Sequence, residues 1–188
     1  MKIKTLLASS LVAASALFGG NYAVDPAHSS TDFSVKHMMI STVKGNFGTF
    51  NGSFEYDEAT KQLKSLSGTI EVASINTGIK DRDDHLRSAD LFDVAKYPQI
   101  VFTLGEVKGD KAYGTLNIHG VSKPVVLTYE NGGTVTDPWG KKRVGLGLSG
   151  QINRSDFGIT WNKALEAGGV VVGENVKIDV VIEGVLKP

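Results

Sequence analysis

Apolar and polar residues alternate strictly in one segment after another of this chain, and no other feature constrains its fold as tightly. Phe33, Val35 and His37 alternate with Asp32, Ser34 and Lys36, and Val176, Ile178, Val180 and Ile182 with Lys177, Asp179 and Glu183. A period of two belongs to β-strands with one face in a core and the other in water. Eight segments read this way: 31–39, 42–56, 63–75, 99–107, 111–118, 123–131, 142–153 and 173–186. The second changes parity between Phe47 and Phe50, which implies a bend or bulge near Gly48. Turn residues at Asp57-Glu58-Ala59-Thr60, Lys108-Gly109-Asp110, His119-Gly120-Val121-Ser122 and Asp137-Pro138-Trp139-Gly140 imply an antiparallel meander. Eight long strands favour closure into a barrel.

One segment departs from the pattern. Between Asn76-Thr77-Gly78 and Asp90, Ile79, Leu86 and Ala89 recur near the helical period, with Asn76 or Thr77 available as a cap and Tyr97-Pro98 as a stop. The expectation is an all-β, eight-stranded antiparallel barrel with one helix inserted between strands 3 and 4.

The first twenty residues differ from the rest. Lys2 and Lys4 precede an apolar run to Phe18 that is short for a membrane span and rich in small residues, so 1–20 reads as a secretory signal peptide and 21–188 as one domain. Export points to a periplasm of the Gram-negative type. With no cysteine, the chain has neither a disulfide nor a lipid-attachment thiol. Lys plus Arg and Asp plus Glu number 20 each, so no basic excess points to nucleic acid and no charge asymmetry to a membrane surface; the short apolar run fits a cleaved signal rather than a stable membrane anchor.

The inward-facing set comprises Phe33, Val35, His37, Met39, Phe47, Phe50, Phe54, Ile70, Val72, Ile100, Phe102, Leu116, Ile118, Leu146, Leu148, Ile152, Val176, Ile178, Val180 and Ile182, and it carries no repeated charge. Glycines 45, 52, 68, 114, 150 and 184 share that stripe, where each either lets the backbone bend or leaves space. An eight-stranded barrel is either filled by its side chains or holds one small ligand. Periodicity leaves both open. If the interior is hollow, these residues form its lining, and His37 and Met39 sit at one end.

Motifs for chemistry are weak. Gly145-Leu146-Gly147-Leu148-Ser149-Gly150 matches a dinucleotide fingerprint by letters, yet its glycines alternate within a strand, and no helix opens there. His28, His37, His85 and His119 have no metal-ligand spacing. In Asp81-Arg82-Asp83-Asp84-His85-Leu86-Arg87, the pairs Asp81–His85 and Asp83–Arg87 lie four residues apart, as on a solvated helix. No catalytic residue, metal site or cofactor is indicated.

Several stretches together resemble the YceI-like family of secreted, lipocalin-like polyisoprenoid-binding proteins. They include Tyr22-Ala23-Val24-Asp25-Pro26-Ala27-His28-Ser29, Ala73-Ser74-Ile75-Asn76-Thr77-Gly78, Arg82-Asp83-Asp84-His85-Leu86-Arg87-Ser88-Ala89-Asp90-Leu91-Phe92-Asp93, Gly114-Thr115-Leu116-Asn117-Ile118-His119-Gly120-Val121 and Asn153-Arg154-Ser155-Asp156-Phe157-Gly158. The resemblance implies a lipocalin-like barrel with a helix near its mouth, an apolar tunnel for a polyprenyl lipid, prenylated quinone or fatty amphiphile, and a homodimer. It implies no catalytic residues. Asn76 stands where the family commonly has Asp. His37, Met39, Asn76 and Arg154 are the candidates for meeting a ligand's head group. The functional expectation is therefore binding, transport or storage of a long isoprenoid or similar amphiphile. The alternatives are an enzyme acting on such a molecule and a stress-related barrel with a filled core.

Overall fold

The computed structural model describes residues 19–166 and 168–188; the segment 1–20 read as a signal peptide lies outside them up to Phe18. The strands are β1 (Gly20–Val24), β2 (Ser30–His37), β3 (Ser41–Phe47), β4 (Phe50–Asp57), β5 (Gln62–Glu71), β6 (Ile75–Asn76), β7 (Gln99–Lys108), β8 (Lys111–Ile118), β9 (Val121–Thr136), β10 (Lys142–Asn153) and β11 (Val172–Leu186). The helix α1 (Lys80–Arg87) lies between β6 and β7. Strands β1, β4, β5, β7, β8, β9, β10 and β11 pair in that order, and β11 returns to β1, closing an eight-stranded antiparallel barrel.

The remaining strands, β2, β3 and β6, lengthen this ring at one end. β11 pairs through Val176↔Val35 and Val181↔Ser30 with β2, then through Val24↔Gly184 with β1, so β1 and β2 are two halves of one bent strand. β3 and β4 are likewise one strand broken at Gly48 and Thr49, at the parity change. There Gly48 N donates to Ser74 O and Thr49 N to Ser74 Oγ. β5 continues into β6 through a single turn at Val72–Ser74. The first strand thus starts at Gly20 rather than residue 31, because Asp25–Ser29 interrupts the alternation that would have revealed it.

The β2–β3 turn, α1, the β8–β9 turn and the connection from Arg154 to Val171 gather at one end, which we call the helix end. The barrel's opposite end holds the β4–β5, β7–β8 and β9–β10 turns and is packed solid. Tyr22 stacks on Phe54 at 5.2 Å and meets Tyr56 edge-on at 6.5 Å. Leu63, Leu104, Ala112, Val144 and Leu146 complete this plug, all 8% exposed or less. The hydroxyls of the plug need partners. Tyr22 donates to Glu58 and Tyr56 pairs with Asn131, whereas Tyr129 Oη is buried unpaired and burial pushes its pKa up to about 12.

Arg143 ties the outside of this packed end together. Its guanidinium bonds Asp137 at 2.8 Å, Asp25 at 2.9 Å and Glu183 at 2.5 Å, joining the β9–β10 turn, the β1–β2 bend and β11. Hydrogen bonds from His28 and then Arg143 hold the Asp25 carboxyl at about 2, below its ordinary 3.8. Asp25, His28 and Glu183 place three ligand-type atoms within 4.8 Å of one another, but Arg143 already bonds both carboxylates.

Two outcomes follow. A methyl at Gly114 would lie 2.6 Å from the Phe102 ring and 2.7 Å from Thr103 O. Gly114→Ala should therefore cost about 1–3 kcal/mol by overpacking, read as a lower denaturant midpoint. A depressed carboxyl pKa contributes stability above its unfolded value and loses it as pH falls through the folded one. Unfolding free energy should thus drop between about pH 4 and about pH 2, and His28→Ala with Arg143→Met should flatten that drop.

Candidate functional site

Above the aromatic plug the inward side chains no longer reach one another. A hollow of about 230 Å³ opens there, with an almost wholly apolar lining. Its walls are Phe33 and Val35 of β2, Phe47 of β3, Phe50 of β4, Leu66, Gly68 and Ile70 of β5, and Ile100 and Phe102 of β7. Leu116, Ile118, Leu127, Leu148 and Ile152 continue the wall, and Val176, Ile178, Val180 and Ile182 of β11 close it. Phe33, Val35, Phe50, Ile70, Val176, Ile178 and Val180 stay only half-buried although they point inward, because no side chain covers their tips. Branched residues of moderate length stand here at the level where Tyr22, Phe54 and Tyr56 fill the opposite half.

The inward glycines contribute less space than their number suggests. Gly45, Gly114 and Gly184 are seats for the rings of Phe33, Phe102 and Phe54, so the missing side chains are replaced by neighbouring ones. Gly68 is different: a Cβ there would meet only Asn51 O, at 3.8 Å, and Gly68 lines the hollow.

The cover of the hollow is built from the helix and the long connection. Leu86, Leu91 and Phe92 descend from α1 and the segment after it, and Phe157 and Ile159 from the other side. Backbone carbonyls bonded by arginine hold both pieces. Arg87 donates to Ala73 O at 2.8 Å and Ile75 O at 2.7 Å, and Arg82 to Thr77 O at 2.9 Å. Arg154, 6% exposed, donates to Gly173 O, Ile159 O, Trp161 O and Val172 O at 2.7–3.3 Å. Burial lowers its pKa from the ordinary value, yet an arginine stays charged. The His85 ring meets Trp161 edge-on at 4.8 Å, joining the two pieces.

The helix differs in detail from the expectation. Its cap residue is Ile79, with no side-chain cap bond; Asn76 instead accepts from Gly78 N. Asp83 is buried and accepts from Thr77 N at 2.9 Å and Thr77 Oγ1 at 2.5 Å, rather than pairing with Arg87. Asp84 takes both Lys80 and Arg87, and His85 pairs with Asp90 at 3.1 Å. His119, in the β8–β9 turn, packs on Tyr97 at 4.3 Å between ring centroids. The glycine-rich run 145–150 lies wholly inside β10.

Of the residues read as lining a hollow, fifteen do so: Phe33, Val35, Phe47, Phe50, Ile70, Ile100, Phe102, Leu116, Ile118, Leu148, Ile152, Val176, Ile178, Val180 and Ile182; Arg154, read as a head-group candidate, also borders it. Phe54 and Leu146 belong to the plug, and Val72 is buried in the turn between β5 and β6. His37 ends β2 beyond the hollow, Met39 is exposed in the turn that follows, and Asn76 is exposed beside α1. Leu66 and Leu127 were missed although Leu66 shares its parity with Gly68 and Ile70. Leu86, Leu91 and Phe92 were signalled by apolar residues inside a charged segment.

Replacing Arg154 with Met leaves four carbonyls without their donor. Arg154→Met should destabilise by on the order of 3 kcal/mol, and Arg154→Lys should not restore the loss, since an ammonium lacks the planar fork. Chemical denaturation measures the loss, and limited proteolysis should cut the 158–172 connection in both variants.

The comparisons agree with this geometry. The profile of the YceI-like domain matches residues 22–184. A UPF0312 protein of Staphylococcus aureus strain MSSA476 is 38% identical over 160 residues, covering 85% of this chain and 94% of its own. The crystal structure of the Campylobacter jejuni YCEI protein superposes with a TM-score of 0.71 at 36% identity, covering 81% of this chain and 90% of that one. A polyisoprenoid-binding domain from Saccharophagus degradans, implicated in plant cell wall breakdown, shares the fold at 17% identity, with a TM-score of 0.68 over 88% of this chain and 98% of its own. With its barrel matched almost end to end, this chain belongs to the YceI-like family.

Proposed function

We propose that the protein binds the apolar chain of a long isoprenoid or similar amphiphilic lipid in the hollow half of its barrel, and carries or stores it in the periplasm after export. The observation that carries this reading is the hollow itself. At about 24 cal/mol per Å³, a void of about 230 Å³ forgoes on the order of 5 kcal/mol of packing, comparable with the net stability of a small domain. A greasy chain recovers that contact, gaining about 0.8 kcal/mol for each methylene it buries. Part of this gain is offset by ordering the chain.

The apolar lining favours hydrocarbon over a polar substrate, since a dry site would leave polar groups unpaired. Its volume is below the roughly 300–1,000 Å³ usual for small-molecule pockets, so it takes a segment of chain. The rest of a longer lipid, with its head, then extends from the helix end. Resemblance to the Saccharophagus domain, named for binding polyisoprenoids, supports the same class of cargo. Arg154 binds the cover through backbone carbonyls, so its part is to hold the site's shape. Binding, rather than turnover, is what this arrangement serves.

Native mass spectrometry of protein purified from its own host should show one lipid per barrel. Gly68→Phe places a ring in the open space beside Ile70; it should abolish the adduct while leaving the melting temperature unchanged or higher. A wild-type barrel free of lipid, or a Gly68→Phe barrel that still carries it, contradicts the proposal.

A further inference from the structure

The turn between β2 and β3 presents three large apolar side chains in a row to solvent: Met38 is 41% exposed, Met39 60% and Ile40 85%. Met38 and Met39 both adopt left-handed backbone, with φ of 49° and 63°, a conformation usually left to Asn or Gly in such a turn. The turn stands at the helix end of the barrel, and the strand leading into it supplies Phe33 and Val35 to the hollow. A second projection lies beside it: Met38 N donates to Val171 O at 2.8 Å, Ala164 bridges to Val170, and Met39 lies against Gly169.

The charge around this apolar tip is of one sign on its own strands. From Phe33 to Phe54 the sequence holds Lys36 and Lys44 and no acidic residue. Both lysines are exposed, and among the described residues neither is within salt-bridge distance of a carboxylate. Lys163 at the base of the neighbouring projection adds a third positive charge, against Glu166 on the same projection. Exposed apolar side chains with Lys36 and Lys44 on their own strands match a surface that is oily beneath and anionic above, although Glu166 and Glu174 stand on the neighbouring segments.

We propose that Met38, Met39 and Ile40 form a docking tip that enters the interface of an anionic lipid bilayer, with Lys36 and Lys44 on the head groups, so that the helix end of the barrel faces the lipid. This rests on the reading of the hollow as a lipid site, because a carrier of such cargo must meet the bilayer that supplies or receives it. Contiguous exposed apolar surface marks a partner, and two lysines with no acidic residue between Phe33 and Phe54 favour an anionic one.

Sedimentation of the mature protein with vesicles tests it. Wild type should pellet with phosphatidylethanolamine–phosphatidylglycerol vesicles and far less with phosphatidylcholine vesicles. Met39→Asp with Ile40→Asp should lower partitioning at least about tenfold. Lys36→Gln with Lys44→Gln should lower it about thirtyfold on the anionic vesicles alone. Trp139→Ala, an exposed apolar residue at the opposite end, and Gly68→Phe, with its hollow filled, should pellet like wild type. The second control separates the two readings, since it removes cargo without touching the tip. Wild type that ignores both vesicles overturns the proposal, as do tip variants that pellet unchanged. So does light scattering in which the tip variants turn a dimer into a monomer with vesicle binding intact, for the tip would then meet a second copy of this chain.

Discussion

Closing eight alternating strands into a ring forces every second side chain toward one axis, and what happens on that axis is decided level by level by side-chain length. Where Tyr22, Phe54 and Tyr56 face inward, rings reach across and stack. Where Val35, Ile70, Val176, Ile178 and Val180 face inward, they fall short and a hollow remains. Both levels obey the same alternation. One barrel therefore carries its own solid core at one end and, at the other, an unfilled volume that the proposed lipid's hydrocarbon would complete. The filled-core and hollow-core alternatives are each true of half the molecule.

Keeping a void open requires rigid walls and a rigid cover, and this chain uses arginine for the cover. Arg154 directs its donors, and Arg87 two of its own, to main-chain carbonyls, which fixes loop backbone that would otherwise be unpaired. A guanidinium suits this use because its planar fork engages several carbonyls at once. The contact between His85 and Trp161 is the one place where the helix and the long connection meet ring to ring among the described residues. At the packed end Arg143 serves differently, bridging three carboxylates from separate elements.

Strand positions were legible because a period of two survives in the sequence wherever one face is wet. The bend at Gly48 and the helix after Asn76 were legible for the same reason, each as a change of period. Axial level was not. Phe54 and Phe50 share a strand and a parity, yet one is in the plug and the other beside the hollow, a distinction set by strand stagger rather than by pattern. The glycines misled in the same way, since Gly114 and Gly184 are places where a neighbour's ring sits. His37 keeps the alternation to the end of β2, but the strand outlasts the cavity, and Met39 lies farther still, in the turn that follows. Asn76 was read as a cap, and the helix begins later because Asp83 reaches back to Thr77 instead.

The most direct measurement is the electron density within the barrel of a crystal grown from protein purified from its own host. The account predicts continuous elongated density along Phe33, Val35, Ile70 and Ile178, ending above the Tyr22–Phe54 stack. Side chains interlocked across the axis at the level of Gly68, with no room between them, would contradict it.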